Sequence, residues 1–113
     1  MKYQLYLGLN DKDTKLQRID TIEAYKMVEN ILLNNDITGY TIYQAKGVFK
    51  HEDGAITQEN TLIIEMIFVE EEVVDELIQL LKDIFNQESI MKTKQDMQIT
   101  FELRCRLWIM IMM

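Results

Sequence analysis

The sequence has no proline, one cysteine (Cys105), one histidine (His51) and four glycines. Without proline there is no polyproline linker and no fixed backbone kink. A lone cysteine excludes an internal disulfide and a paired-thiol metal site, and it fits a reducing compartment. A lone histidine excludes the two-histidine zinc helix. Gly8, Gly39, Gly47 and Gly54 are too scattered to form a phosphate-cradling loop, and neither a Walker nor a Rossmann fingerprint occurs. The nucleophile elbow of serine hydrolases is missing as well. No stretch reaches the roughly 18 apolar residues of a membrane span. Met1-Lys2-Tyr3-Gln4 lacks the apolar run of a signal peptide, so a cytoplasmic protein that does not engage membranes is expected.

Positive charge is also scarce. Twelve Lys and Arg face 19 Asp and Glu, for a net charge of −7. A nonspecific grip on nucleic acid requires positive charge that displaces counterions, so no nucleic-acid partner is expected. The acidic balance suits solubility, or a basic protein partner.

The chain of 113 residues is long enough for one domain, and 48% of it is hydrophobic. Residues 2–9 alternate, with Tyr3, Leu5, Leu7 and Leu9 on one side, which predicts a strand. Asp20 stands three residues before Glu23, a spacing like that of a capping box. Ala24, Tyr25, Val28, Ile31 and Leu32 then follow at helical spacing up to Asn34-Asn35-Asp36. Residues 39–50 alternate again, with Gly47 marking a bulge or a close backbone approach. Residues 51–60 are polar and carry the turn signal Asp53-Gly54. Residues 61–69 are apolar on both faces, as in a central strand. Glu70, Glu71 and Glu72 open a second helix, whose stripe is Val74, Leu77, Ile78, Leu81, Ile84 and Phe85. A last strand is expected over 90–102. The order βαββαβ is the ferredoxin-like split βαβ: a four-stranded antiparallel sheet with two helices on one face. Residues 1–102 form this α+β domain, and 103–113 are an apolar C-terminal extension.

Certain stretches carry a resemblance: Gly39-Tyr40-Thr41, Ala45-Lys46-Gly47-Val48-Phe49-Lys50, Asp53-Gly54 with Glu59, Phe85-Asn86-Gln87-Glu88-Ser89-Ile90-Met91-Lys92, and Ile99-Thr100-Phe101. Over roughly residues 3–101 the chain resembles a small bacterial and phage family of unknown function, related in fold to the PII-like proteins. The resemblance implies the fold and no agreed activity.

Candidate chemistry is sparse. His51 stands beside Glu52 and Asp53, with Glu59 later in the same segment, a set able to act as acid and base. The spacing matches no metal motif, so no metal is expected, and a solvated hairpin tip has the same composition. Lys46, Lys50, Gln87, Ser89 and Lys92 lie near strand ends that converge if the topology holds, and with His51 and Glu59 they form the candidate ligand-binding set. Cys105 lies between Arg104 and Arg106, yet it shares an apolar pattern with Phe101, Leu103 and Leu107, which favours a packed cysteine over a nucleophile. No catalytic residue and no cofactor is assigned.

The last seven residues, from Leu107 through Trp108 and Ile109 to Met113, are all apolar. A strand over 97–107 spans about 36 Å at roughly 3.3 Å per residue. Burying three such side chains contributes roughly 5–9 kcal/mol before ordering costs. Leu103, Cys105, Leu107, Trp108 and Ile109 are therefore expected at an interface between copies of the chain, a fold-back onto the sheet's open face being the competing reading. The functional expectation is a non-enzymatic homo-oligomer that binds a partner protein or small ligand at its sheet or subunit seams. The alternatives are a small enzyme with an intersubunit site using His51 or Glu59, and a mobile-element inhibitor acting through the acidic face around residues 70–76.

Overall fold

A computed structural model describes residues 1–50 and 52–100. His51 and the proposed interface residues Leu103, Cys105, Leu107, Trp108 and Ile109 lie outside the described residues. The chain runs β1 (Lys2–Gly8), α1 (Thr21–Asn34), β2 (Gly39–Lys50), β3 (Ile56–Ile67), α2 (Glu71–Ile84) and β4 (Met91–Gln95). The strands form one sheet in the order β2-β3-β1-β4, with each neighbouring pair antiparallel. This is the ferredoxin-like arrangement expected from the sequence.

Alternation along the strands sorts the side chains. Leu5, Leu7, Leu62, Ile64 and Met66 are wholly buried on the helix face. Ala24, Val28 and Leu32 of α1 and Val74, Leu77 and Leu81 of α2 pack into the same core. Asp20 caps α1 by accepting the Ile22 N–H at 3.1 Å. Glu23 does not complete a capping box and instead lies 3.8 Å from Lys26.

Two strand boundaries differ from expectation. β3 begins at Ile56, five residues before the apolar run, because Lys50↔Ile56 through Lys46↔Asn60 pair as a hairpin. Its backbone ladder forms without an apolar face, so hydrophobic alternation does not reveal it. β4 is shorter than the expected 90–102 strand and ends at Gln95. Its last partner is Lys2, the first residue of β1, and only Met1 precedes it, so β1 offers residues 96–100 no strand to pair with. Gly47 pairs with Glu59 in unbroken register, which makes it a close approach and not a bulge.

Candidate functional site

The helices cover one face of the sheet; the other face carries the site. Register sets Gln4, Tyr6 and Gly8 of β1 beside Glu65, Ile63 and Thr61 of β3, and sets Tyr43, Ala45 and Gly47 of β2 beside Ile63, Thr61 and Glu59. Small residues therefore gather at one end: Gly8, Thr61, Ala45 and Gly47. They leave a depression, which the β1–α1 loop and the α2–β4 connection deepen into a cleft of about 360 Å³. Tyr6, Phe49 and Met91 supply apolar lining, while Glu59, Thr61, Gln87 and Ser89 supply polar groups.

Glu59 is half-buried, and its Oε2 accepts the Asn10 N–H at 3.1 Å. Among the described residues no donor reaches Oε1. The carboxylate lies directly over Gly8, where a Cβ would come within 2.7 Å of Oε2. At Gly47 a Cβ would meet Thr61 Oγ1 at 3.0 Å. Both glycines thus keep the floor open. A hydrogen-bonded row limits the cleft along the sheet. Thr93 and Tyr6 donate to Gln4 Oε1, at 3.2 and 3.3 Å, and Gln4 Nε2 donates to Glu65 at 2.5 Å.

The loop walls are pinned to each other. Asp11, only 3% exposed, accepts the Thr14 N–H at 2.8 Å, the Asp13 N–H at 3.0 Å and Asn86 Nδ2 at 2.5 Å. The Asn86 hydrogen bond foremost, then that of Thr14, lowers its carboxyl pKa to about 2. Buried Gln87 donates to the Asn10 and Phe85 carbonyls at 2.7 and 3.1 Å. The Lys12 N–H donates to the Asn86 carbonyl at 3.0 Å.

Of the candidate residues, Glu59, Gln87 and Ser89 line this cleft; Lys46, Lys50 and Lys92 do not. Lys92 pairs with buried Leu5, so it projects to the helix side, where it binds Asp75 at 2.6 Å and Glu71 at 3.0 Å. Ser89 and Lys92 do stand in the S-x-x-K spacing of some acyl-transfer enzymes. Here Lys92 is held by the carboxylates of α2, away from Ser89 in the cleft, so the two do not make a nucleophile–base pair. Lys94 also binds Glu71, at 2.9 Å, and these lysines hold the Glu71 carboxyl below its usual range. Part of the acidic run is thus engaged in fastening α2 to β4. Sequence reasoning missed Tyr6, Gly8, Asn10, Lys12, Lys15, Phe49 and Met91; the signal available was a glycine inside the β1 pattern. Among the described residues no group of three or more His, Cys, Asp or Glu is placed to hold a metal ion. No helix among them is long and apolar enough to cross a membrane.

Comparison with known proteins adds three findings. The family described as "Protein of unknown function (DUF3574)" matches residues 2–101. No curated protein matches the sequence. Among solved structures, the chain is similar to a phage SAM lyase in complex with S-methyl-5′-thioadenosine, with TM-score 0.63 and 22% identity, over 80% of this chain and 76% of that one. It is also similar to CutA from Pyrococcus horikoshii, with TM-score 0.52 and 15% identity over 96% of each chain. A mutant of that archaeal protein gives TM-score 0.54 and 16% identity. At these identities the likeness is one of fold.

Proposed function

The chain belongs to the DUF3574 family, and we propose that it is a small-ligand-binding module, assembled as a homo-oligomer, whose site is the cleft on the open sheet face. One observation carries this reading: a carboxylate whose Oε1 accepts no hydrogen bond from the described residues, that of Glu59, stands over a glycine floor between the aromatic side chains Tyr6 and Phe49. A carboxylate accepts hydroxyl or amine protons, and aromatic and thioether side chains take a flat apolar body. A nucleoside thioether presents both, and S-methyl-5′-thioadenosine, the compound held by the structurally similar phage lyase, is the class we assign. The aromatic faces receive the base, Glu59 accepts ribose hydroxyls, and Met91 meets the sulfur end.

The homo-oligomer rests on the face around the cleft. Tyr43, Phe49 and Met91 are exposed by 41%, 48% and 57%, and no helix or strand among the described residues covers the sheet there. A second copy covering this face removes that apolar surface from water and closes the cleft. Native mass spectrometry of the full chain purified from cells tests both parts. An oligomer retaining a mass in the nucleoside range is expected. A bare monomer contradicts the reading.

That Oε1 meets no donor among the described residues also favours a second reading, an enzyme in which Glu59 takes a proton from the bound ligand. Incubation with S-adenosylmethionine, followed by chromatography, separates the two. A product that disappears in Glu59→Gln supports catalysis, and unchanged substrate rejects it.

A further inference from the structure

The charges around the cleft are unevenly placed. Glu59 lies on the floor, whereas Lys12 and Lys15 line the mouth from the β1–α1 loop. Both lysines are exposed, and among the described residues neither takes part in an ion pair. Lys2, Lys46, Lys50 and Lys82 also make no ion pair among the described residues, and what sets Lys12 and Lys15 apart is that both line one opening in a chain of net charge −7. Of the other carboxylates in the lining, Asp11 is enclosed by its own donors, and Glu88 stands on the α2–β4 connection.

The loop that carries the lysines is held by backbone hydrogen bonds. Asn10 bridges Gln17, the Asp11 N–H donates to the Leu16 carbonyl at 2.8 Å, and the Lys15 N–H donates to the Asp11 carbonyl at 2.8 Å. This turn puts Lys15 in the left-handed region, at φ 63°. Glycine is the residue that adopts such a position without strain, and asparagine tolerates it. Asp36, Phe68 and Asn86 share that region, so the backbone alone assigns no role to Lys15; what bears on the ligand is that Lys15 lines the cleft beside Lys12.

We infer that the ligand is bipolar: an adenosyl-type body lies over Gly8 and Glu59, and an anionic arm, a carboxylate or a phosphate, reaches out of the cleft to Lys12 and Lys15. This rests on the reading of the cleft as a nucleoside-thioether site and names the ligand's second half. The two lysines act as point charges at the rim, steering the anion inward and then holding it.

Calorimetric titration of the full chain with three adenosyl compounds tests this. S-methyl-5′-thioadenosine has no anionic arm, S-adenosylhomocysteine ends in an amino acid that presents a carboxylate beside an ammonium group, and adenosine 5′-phosphate carries a phosphate. At least one anionic compound binds about tenfold more tightly than the neutral thioether, the scale of a charge-assisted contact, and the one favoured identifies the arm. In Lys12→Gln/Lys15→Gly that advantage disappears, while affinity for the neutral thioether holds. Lys15→Gly alone raises Tm by relieving the strained turn yet weakens binding of the anionic compound, a combination that a structural role for Lys15 does not produce. Neutral and anionic compounds binding equally to the natural chain, or an advantage that survives in the double variant, overturns the inference and leaves the cleft reading standing. Failure of all three to bind overturns both.

Discussion

The carboxylate of Glu59 occupies the space that a side chain on Gly8 would need: a Cβ there would lie 2.6 Å from Glu59 Cδ and 2.7 Å from Oε2. Gly8→Ala therefore drives Glu59 off the cleft floor. Because Glu59 is flexible and half-exposed, the backbone need not move, and the lost Asn10 N–H bond costs about 1 kcal/mol. Alanine in a strand offsets part of that. Thermal denaturation of Gly8→Ala is expected to stay within a few degrees of the natural chain, while nucleoside-thioether affinity falls at least tenfold. Unchanged affinity with a correctly folded variant contradicts the role given to this pair.

Asp11 ties the β1–α1 loop to the end of α2 through Asn86. Asp11→Ala leaves the Asp13 and Thr14 N–H groups without their side-chain acceptor and leaves Asn86 Nδ2 with Asp13 Oδ2 alone, at 2.9 Å, so a clearly lower Tm is expected near neutral pH. The native carboxyl titrates near 2 instead of 3.8, so its contribution is complete above about 3.8 and fades as the pH falls through about 2. The Tm gap between the natural chain and Asp11→Ala should close over that window. A gap that persists in strong acid shows that charge is not what Asp11 contributes.

The ferredoxin-like order was legible because its elements are amphipathic in the ordinary way. Tyr3, Leu5 and Leu7 alternate, and Val74, Leu77 and Leu81 keep helical spacing, since each set faces one shared core. The hairpin over Thr57, Gln58, Glu59 and Asn60 was hidden because backbone pairing holds it without an apolar side. That error put Glu59 in a loop beside His51, when it lies in β3 opposite Gly47. The cleft was legible only in fragments. Glu59, Gln87 and Ser89 were proposed, but Tyr6, Gly8 and Lys15 are distant in sequence and meet only through strand register. Lys46, Lys50 and Lys92 lie near converging strand ends, as expected, and strand parity explains why they do not line the cleft: Lys46 and Lys50 alternate with Gly47 and Phe49, and Lys92 pairs with buried Leu5.

Phe68 follows β3 with φ 57° and is 75% exposed. A bulky side chain in the left-handed region costs roughly 1–2 kcal/mol, and glycine recovers that less about 0.5–1 kcal/mol of unfolded-state entropy. Phe68→Gly is therefore expected to gain up to about 1 kcal/mol in urea unfolding, since little burial is lost. A loss of 2 kcal/mol or more would mean that the Phe68 ring is covered in the assembled protein.

The central claim is that the open-face cleft, with Glu59 at its floor, holds a nucleoside thioether, and its most direct test is calorimetric titration of S-methyl-5′-thioadenosine into the natural chain and into Glu59→Ala. The natural chain is expected to bind one molecule per cleft. Glu59→Ala, with its fold verified by circular dichroism, should bind at least tenfold more weakly, the loss of a hydrogen bond to a charged acceptor. No heat of binding in the natural chain, or equal affinity in the two proteins, contradicts the account.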